Sequence, residues 1–370
     1  MFLCFFGIHF IYQMFYNYIG LDYAVCAIFP IGKGESILKS IFLCKKCFLD
    51  SVYPEYIREA LRKEAGLDET ILIEDSGDYV NYIDYLKDVD FVFSTWSFPG
   101  ITDEHMQYFP KLKCVFYAAG TVREFAAPIL KSKRKLFSAW GANAIPVAEF
   151  TISQILLANK GYFLSARKMR NGNYLETQSF SDIYCGNYKC KIGIIGAGMI
   201  GKMVIKDMAQ RGFNVLVYDP FLSDDQAEKL GAEKSGLTEM FSDCNVISNH
   251  IANNEQTRGM FTYDLFSLMK DNATFINTGR GAQVVESDLI RALKEKPDRT
   301  ALLDVTYPEP PKKNSELYTL ENVFLTPHIA GSKANEHWRL SEYMLEEFRH
   351  YIKGEPLNYE VTDEVFERMA

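Results

Sequence analysis

At 370 residues the chain is long enough for two or three domains with cores of their own, and its 48% hydrophobic and 24% charged residues are ordinary globular proportions. A disulfide-stapled mini-protein, a disordered chain and a polytopic membrane protein are thereby excluded. With 40 Lys and Arg against 48 Asp and Glu, the net charge of −8 offers no basic field to a nucleic-acid backbone, so no nucleic-acid partner is expected.

From Met1 to Leu21 there is no charged residue, and Phe2 to Tyr12 is strongly apolar. A signal peptide needs a basic start and a small-residue cleavage site, and a membrane span needs about 20 apolar residues, whereas Gln13 and Asn17 interrupt this stretch. Residues 1–44 are read as an apolar extension outside the working fold, with a membrane-associating helix and a structural element as the alternatives. The first strand is expected at Lys45-Lys-Cys-Phe-Leu-Asp50.

From there short apolar runs alternate with longer amphipathic ones: Cys47–Leu49, then Glu55–Glu64; Ile71–Ile73, then Tyr79–Lys87; Phe91–Phe93; Cys114–Tyr117. This βαβ rhythm implies parallel strands with helices on both faces. A long helix is expected from about Val147 through Arg170, with Pro146 in its first turn. Six further strands are expected at Ile192–Ile195, Val215–Tyr218, Val246-Ile247, Thr274–Ile276, Ala301–Leu303 and Val323–Leu325. A last amphipathic helix covers about Lys333 to Lys353, followed by a solvated tail. The fold class is α/β. The eight cysteines lack the dense spacing of a secreted framework and are read as mostly reduced, as in the cytoplasm. No metal is expected, because only the loosely spaced Cys185 and Cys190 could complete a site with Cys44-x-x-Cys47.

The sharpest local signal is Ile192-Gly-Ile-Ile-Gly196-Ala-Gly198-Met199-Ile200-Gly201, a strand running into G-x-G-x-x-G and then a helix. Gly196 permits the tight turn, Gly198 lets backbone N–H groups approach a pyrophosphate, and Gly201 lets helix and strand lie close. The next strand ends in Asp219, placed to accept from both ribose hydroxyls, and Pro220-Phe-Leu-Ser223 offers no Arg for a 2′-phosphate. NAD is favoured over NADP.

Three later strands end in polar residues: Asn277-Thr278-Gly-Arg280-Gly281, Asp304-Val-Thr-Tyr-Pro-Glu309-Pro310 and Thr326-Pro-His328-Ile-Ala-Gly331. Reducing a 2-oxo acid needs a hydride, a proton for the carbonyl oxygen and a fixed cation for the carboxylate. Arg280 suits the carboxylate, His328 the proton transfer, and Glu309 the orientation and charge stabilisation of the imidazole.

In the order of these motifs, together with Pro146-Val-Ala-Glu149 and His250 before Thr257-Arg-Gly259, the sequence over about residues 45–360 resembles the NAD-dependent D-isomer-specific 2-hydroxyacid dehydrogenase family. The resemblance implies the same three catalytic roles for Arg280, Glu309 and His328. It implies a cofactor set of Gly196, Gly198, Met199, Ile200, Gly201, Asp219, Thr278, Asp304 on the nicotinamide amide side, and His328. His250 is either a cofactor-side residue or a polar strand cap. Ala119 and Gly120 match the loop that offers N–H groups to the substrate carboxylate, with Arg280 opposite. Trp96, Phe98 and Trp140 flank the substrate pocket or, equally, belong to a lobe core. The loop after Gly120 reads Thr-Val-Arg-Glu-Phe125, where relatives usually carry Asp-Asn, and Ile251-Ala-Asn-Asn254 replaces the commoner Leu-Pro-Leu-Thr, so the substrate fit stays open.

The expected architecture is a Rossmann-type doubly wound parallel sheet at 143–329 that binds NAD, plus a discontinuous flavodoxin-like α/β substrate lobe at 45–142 with 330–370. The expected function is reversible reduction of a 2-oxo acid to a D-2-hydroxy acid with NADH. The resemblance implies a homodimer through the NAD lobe, and a membrane contact only through residues 1–44. The alternative is an NAD(H)-sensing, corepressor-like dimer with little or no turnover.

Overall fold

Four consecutive apolar residues, Ser-Ile-Phe-Leu, form the strand β1 (Ser40–Leu43), and all four are buried. The computed structural model describes residues 38–368, so the readings of residues 1–37 lie outside the described residues. β1 is a correction to the expected start, because it falls inside the stretch assigned to the extension. Cys47–Leu49 is likewise not a strand: Lys46–Val52 is helical and buries Leu49 and Val52, three apart, while Phe48 stays exposed.

β1 pairs in parallel with β2 (Leu67–Ile73) and β3 (Phe91–Ser94); β4 (Cys114–Tyr117) and β5 (Lys135–Ser138) follow in parallel, giving the order β2-β1-β3-β4-β5. The second sheet contains β6 (Lys191–Ile195), β7 (Asn214–Tyr218), β8 (Glu233–Lys234), β9 (Val246–Asn249), β10 (Thr274–Asn277), β11 (Thr300–Leu303) and β12 (Val323–Leu325). Its order is β12-β11-β10-β9-β6-β7-β8, again all parallel. This is a doubly wound Rossmann-type sheet beside a second α/β sheet of flavodoxin-like order. The strand order reverses between β6 and β9, where an open α/β sheet leaves a crevice at its strand ends.

The long helix differs from expectation at both ends. It runs Trp140–Ala158, with Pro146 inside it rather than in its first turn. Buried Gly141, Ala142 and Ala144 let its early turns pack closely, and that packing outweighs the backbone hydrogen bond Pro146 cannot make. It stops before Gly161, whose φ of +64° breaks the helical path, and a separate helix Tyr162–Lys168 follows.

The helix Glu336–Lys353 returns to the first sheet. Leu340, Met344 and Phe348 recur every four residues on its buried face, and Phe348 meets Phe91, Phe93 and Phe116 at ring-centroid distances of 5.3, 5.8 and 5.8 Å. The tail beyond it is not the solvated terminus expected. Buried Glu347 accepts from the N–H groups of Asn358 (3.1 Å) and Tyr359 (3.3 Å) and turns the chain back. Ser138 N–H then donates to Tyr359 O (3.1 Å), Val361 N–H donates to Leu136 O (2.8 Å), and the Val361 side chain enters the core.

Cys185 and Cys190 form a disulfide, so the reading of the thiols as mostly reduced is corrected at this pair. Among the described residues Cys44, Cys114 and Cys244 are buried free thiols, and burial pushes each up to about 12; Cys47 is exposed. No helix among the described residues is long and apolar enough to cross a membrane.

Candidate active site

Every expected site residue of the second sheet lies in or just after a turn at the carboxyl end of a strand. After β6, Gly196 takes a φ of +94°, and a Cβ there would come within 2.7 Å of the His250–Ile251 backbone. A side chain at Gly201 would overlap the Gly196 carbonyl, so helix Met199–Gln210 can approach β6 only with glycine at this position. Met199 and Ile200 form the first turn of that helix, and the space beside Gly198 is open. Asp219, just past β7, accepts from Ala197 N–H (2.7 Å) through Oδ2 and from Phe221 N–H (2.8 Å) through Oδ1. A carboxylate tied to the glycine turn, an open cradle at Gly198 and a helix N-terminus with its partial positive charge fit the ribose and pyrophosphate of a dinucleotide.

After β9 the His250 ring is enclosed. Its Nε2 lies 2.9 Å from Ser248 Oγ, and Nδ1 lies 3.4 Å from Thr278 Oγ1, which meets Thr151 Oγ1 at 3.2 Å. Burial pushes the imidazole down to about 3, so the ring is neutral near pH 7.

After β10 the Arg280 guanidinium donates to Gly279 O (2.9 Å). Burial pushes it down from its ordinary value, and the Glu309 carboxylate acts in the opposite sense. This is a desolvated cation near a carboxylate, with donors left for an anion.

After β12 His328 sits at a φ of +53°, and its Nδ1 is 2.6 Å from Glu309 Oε1. Because a carboxylate only accepts, Nδ1 carries the hydrogen and Nε2 is the atom free to exchange a proton. Asp304, expected at the nicotinamide amide, directs its carboxylate into the His328 loop instead. Oδ1 accepts from Thr326 Oγ1 (2.6 Å) and Ile329 N–H (2.8 Å), Oδ2 accepts from Ala330 N–H (2.9 Å), and the Asp304 carbonyl accepts from His328 N–H (3.0 Å).

In the first lobe, Ser138 Oγ donates to the carbonyls of both Ala119 and Gly120 and fixes that loop. Trp96 meets His337 edge-on at 5.0 Å, Phe98 meets Phe125 at 4.7 Å, and Trp140 meets Tyr359 at 5.6 Å. All three therefore pack within the first lobe while remaining partly exposed. His337 is held at both nitrogens, by Ser51 Oγ and Ser332 O, each at 2.9 Å.

Sequence reasoning missed Asn143. Its Oδ1 accepts from Ser332 N–H (3.0 Å), and its amide lies beside both Gly120 and Gly331, so one side chain on the long helix links the two loops. Its only sequence signal was its place in the Asn143-Ala-Ile-Pro146 run.

Residues 152–330 match the family model described as "D-isomer specific 2-hydroxyacid dehydrogenase, NAD binding domain". YoaD of Bacillus subtilis, a sequence-assigned 2-hydroxyacid dehydrogenase, is 32% identical over 242 residues, covering 63% of this chain and 68% of YoaD. A D-3-phosphoglycerate dehydrogenase of Methanocaldococcus jannaschii is 33% identical over 215 residues, which cover 58% of this chain but only 40% of that protein. Among solved structures, D-mandelate dehydrogenase of Rhodotorula graminis superposes with a TM-score of 0.74 at 18% identity, covering 89% of this chain and 98% of that one; this likeness is one of fold.

Proposed function

Because this chain belongs to the D-isomer specific 2-hydroxyacid dehydrogenase family, whose matching domain binds NAD, we propose that it reduces a small 2-oxo acid to the D-2-hydroxy acid and catalyses the reverse oxidation. Arg280, His328 and Glu309 carry the chemistry in this reading. The observation that supports it most directly is the 2.6 Å contact of His328 Nδ1 with Glu309 beside a buried Arg280.

When bound, NADH supplies the hydride. Arg280 takes the substrate carboxylate in a two-pronged contact and polarises the adjacent carbonyl. His328 delivers a proton from Nε2 to the carbonyl oxygen as negative charge develops there, and Glu309 keeps the ring in register and stabilises its protonated form. N–H groups of the Ala119-Gly120 loop hold the carboxylate from the other side, and Trp96 and Trp140 border the substituent. Gly196, Gly198, Met199, Ile200 and Gly201 cradle the pyrophosphate, Asp219 binds the ribose, and Thr278 and His250 line the cofactor side.

The substrate lobe comprises 38–142 with 330–370, and the NAD lobe comprises 143–329. Exposed Tyr162, Tyr174, Leu175, Ile183 and Tyr188, all on one segment of the NAD lobe, support a homodimer.

The test is NADH oxidation, followed by absorbance, against a panel of 2-oxo acids. Turnover of at least one is expected, and it should vanish in Arg280→Ala. Tight NADH binding without turnover of any acid would overturn the reading in favour of an NAD(H) sensor.

A further inference from the structure

Behind the strand ends lie three amide side chains with no solvent exposure at all, Asn249, Asn277 and Gln283. They form one connected set. Asn249 Nδ2 donates to Asn277 Oδ1 (3.0 Å) and to Gln283 Oε1 (2.7 Å). Gln283 Nε2 donates to the carbonyls of Ile251 (2.9 Å) and Ala252 (3.1 Å), and Asn249 Oδ1 accepts from Ile251 N–H (3.2 Å). On the other side Asn277 Oδ1 accepts from Gly279 N–H (3.1 Å), and Asn277 Nδ2 donates to Arg280 O (3.2 Å).

The two ends of this set reach different parts of the site. Residues 250–251 abut Gly196, where even a Cβ would come within 2.7 Å of their backbone, and His250 N–H donates to Ile195 O (2.7 Å). That end therefore sets the wall of the dinucleotide turn. The other end fixes the 277–280 turn, whose Gly279 carbonyl holds the Arg280 guanidinium. Gly279 lies directly on the set: a Cβ there would be 3.0 Å from Asn249 Nδ2. Buried amides whose donors and acceptors are engaged in this way define one arrangement, because any slip leaves a donor or acceptor unpaired without water.

We propose that Asn249, Asn277 and Gln283 are positioning residues that hold the loop at 250–252 and the Arg280 turn in a single register, so that NADH and the carboxylate of the 2-oxo acid are recognised together. The proposal rests on the reading of Arg280 given above. None of the three touches substrate or cofactor in it; they act through backbone. The Glu309–His328 pair is outside the set, since its loop is held by Asp304.

Gln283→Met keeps the side-chain volume close and removes the donors to Ile251 O and Ala252 O. In the full-length folded protein it should raise both the NADH dissociation constant, read by fluorescence titration, and the KM of the 2-oxo acid by about tenfold. The alkaline limb of the pH profile should stay where it is, because His328 and Glu309 keep their contact. Should Gln283→Met not fold, Gln283→Asn keeps an amide but withdraws it from the two carbonyls, and the same two constants should rise by a smaller factor. Wild-type values of both constants in a folded variant, or a rise in one alone, would overturn the proposal. A wild-type enzyme that binds NADH but turns over no 2-oxo acid would instead defeat the reading of Arg280, a separate result recorded in the same assays.

Discussion

His328 holds its ring from a left-handed backbone conformation that costs a non-glycine residue about 1–3 kcal/mol. Four hydrogen bonds to Asp304 tie down the surrounding loop and offset that strain, so Asp304 fixes where the imidazole stands while Glu309 fixes how it is turned. Reduction needs the protonated ring, so activity is present at low pH and is lost as the proton leaves. Glu309→Gln removes the anion that favours the protonated form, and the alkaline limb of 2-oxo acid reduction should move to lower pH by about one unit. A limb that stays in place would refute the pairing. His250 behaves in the opposite way. Its folded value near 3 lies below the roughly 6.5 of an unfolded chain, so between these values the unfolded state binds the extra proton. Stability is therefore unaffected by this group above that window and falls with pH through it, by at most about 1.4 kcal/mol per unit. Urea midpoints measured from pH 6 to pH 5 should fall less steeply in His250→Asn than in the parent; equal slopes would show that the ring titrates freely.

The helix Glu336–Lys353 joins the first lobe through one dominant side chain, since Phe348 packs on three phenylalanines from β3 and β4. Phe348→Ala should cost about 3–5 kcal/mol in chemical denaturation. NADH affinity of the folded fraction should hold, because the glycine turn belongs to the other sheet. Helices with a regular buried face, such as this one, were readable from the spacing of their apolar residues. β1 was not: four apolar residues beside Lys45 and Lys46 carry no period, and the neighbouring Cys47–Leu49 run offered an equally short alternative. Pro146 was misleading because local rules place proline in a first turn, while the tight packing of Gly141, Ala142 and Ala144 carried the helix upstream of it. Arg280, Glu309 and His328 were legible because each follows an apolar strand. Asn143 and the Asn249–Gln283 pairing were not, for an amide announces its partner only when the chain is folded. The Cys185–Cys190 bond was equally hidden, since the spacing of two cysteines does not give the geometry between them.

The molecule is built from two sheets whose chain segments are interleaved: the first sheet ends at Ser138, the second is then completed, and only afterwards does the chain come back to supply Phe348 and Val361 to the first. This fixes a schedule during translation. The phenylalanines of β3 and β4 leave the ribosome roughly 200 residues before their partner does, an interval of about 10–40 s at 5–20 residues per second. Throughout it the nascent first lobe shows a greasy face with nothing to cover it, while the later lobe can already close upon itself. The half of the protein made first is thus the half finished last, and it is there that a chaperone would find its longest opportunity.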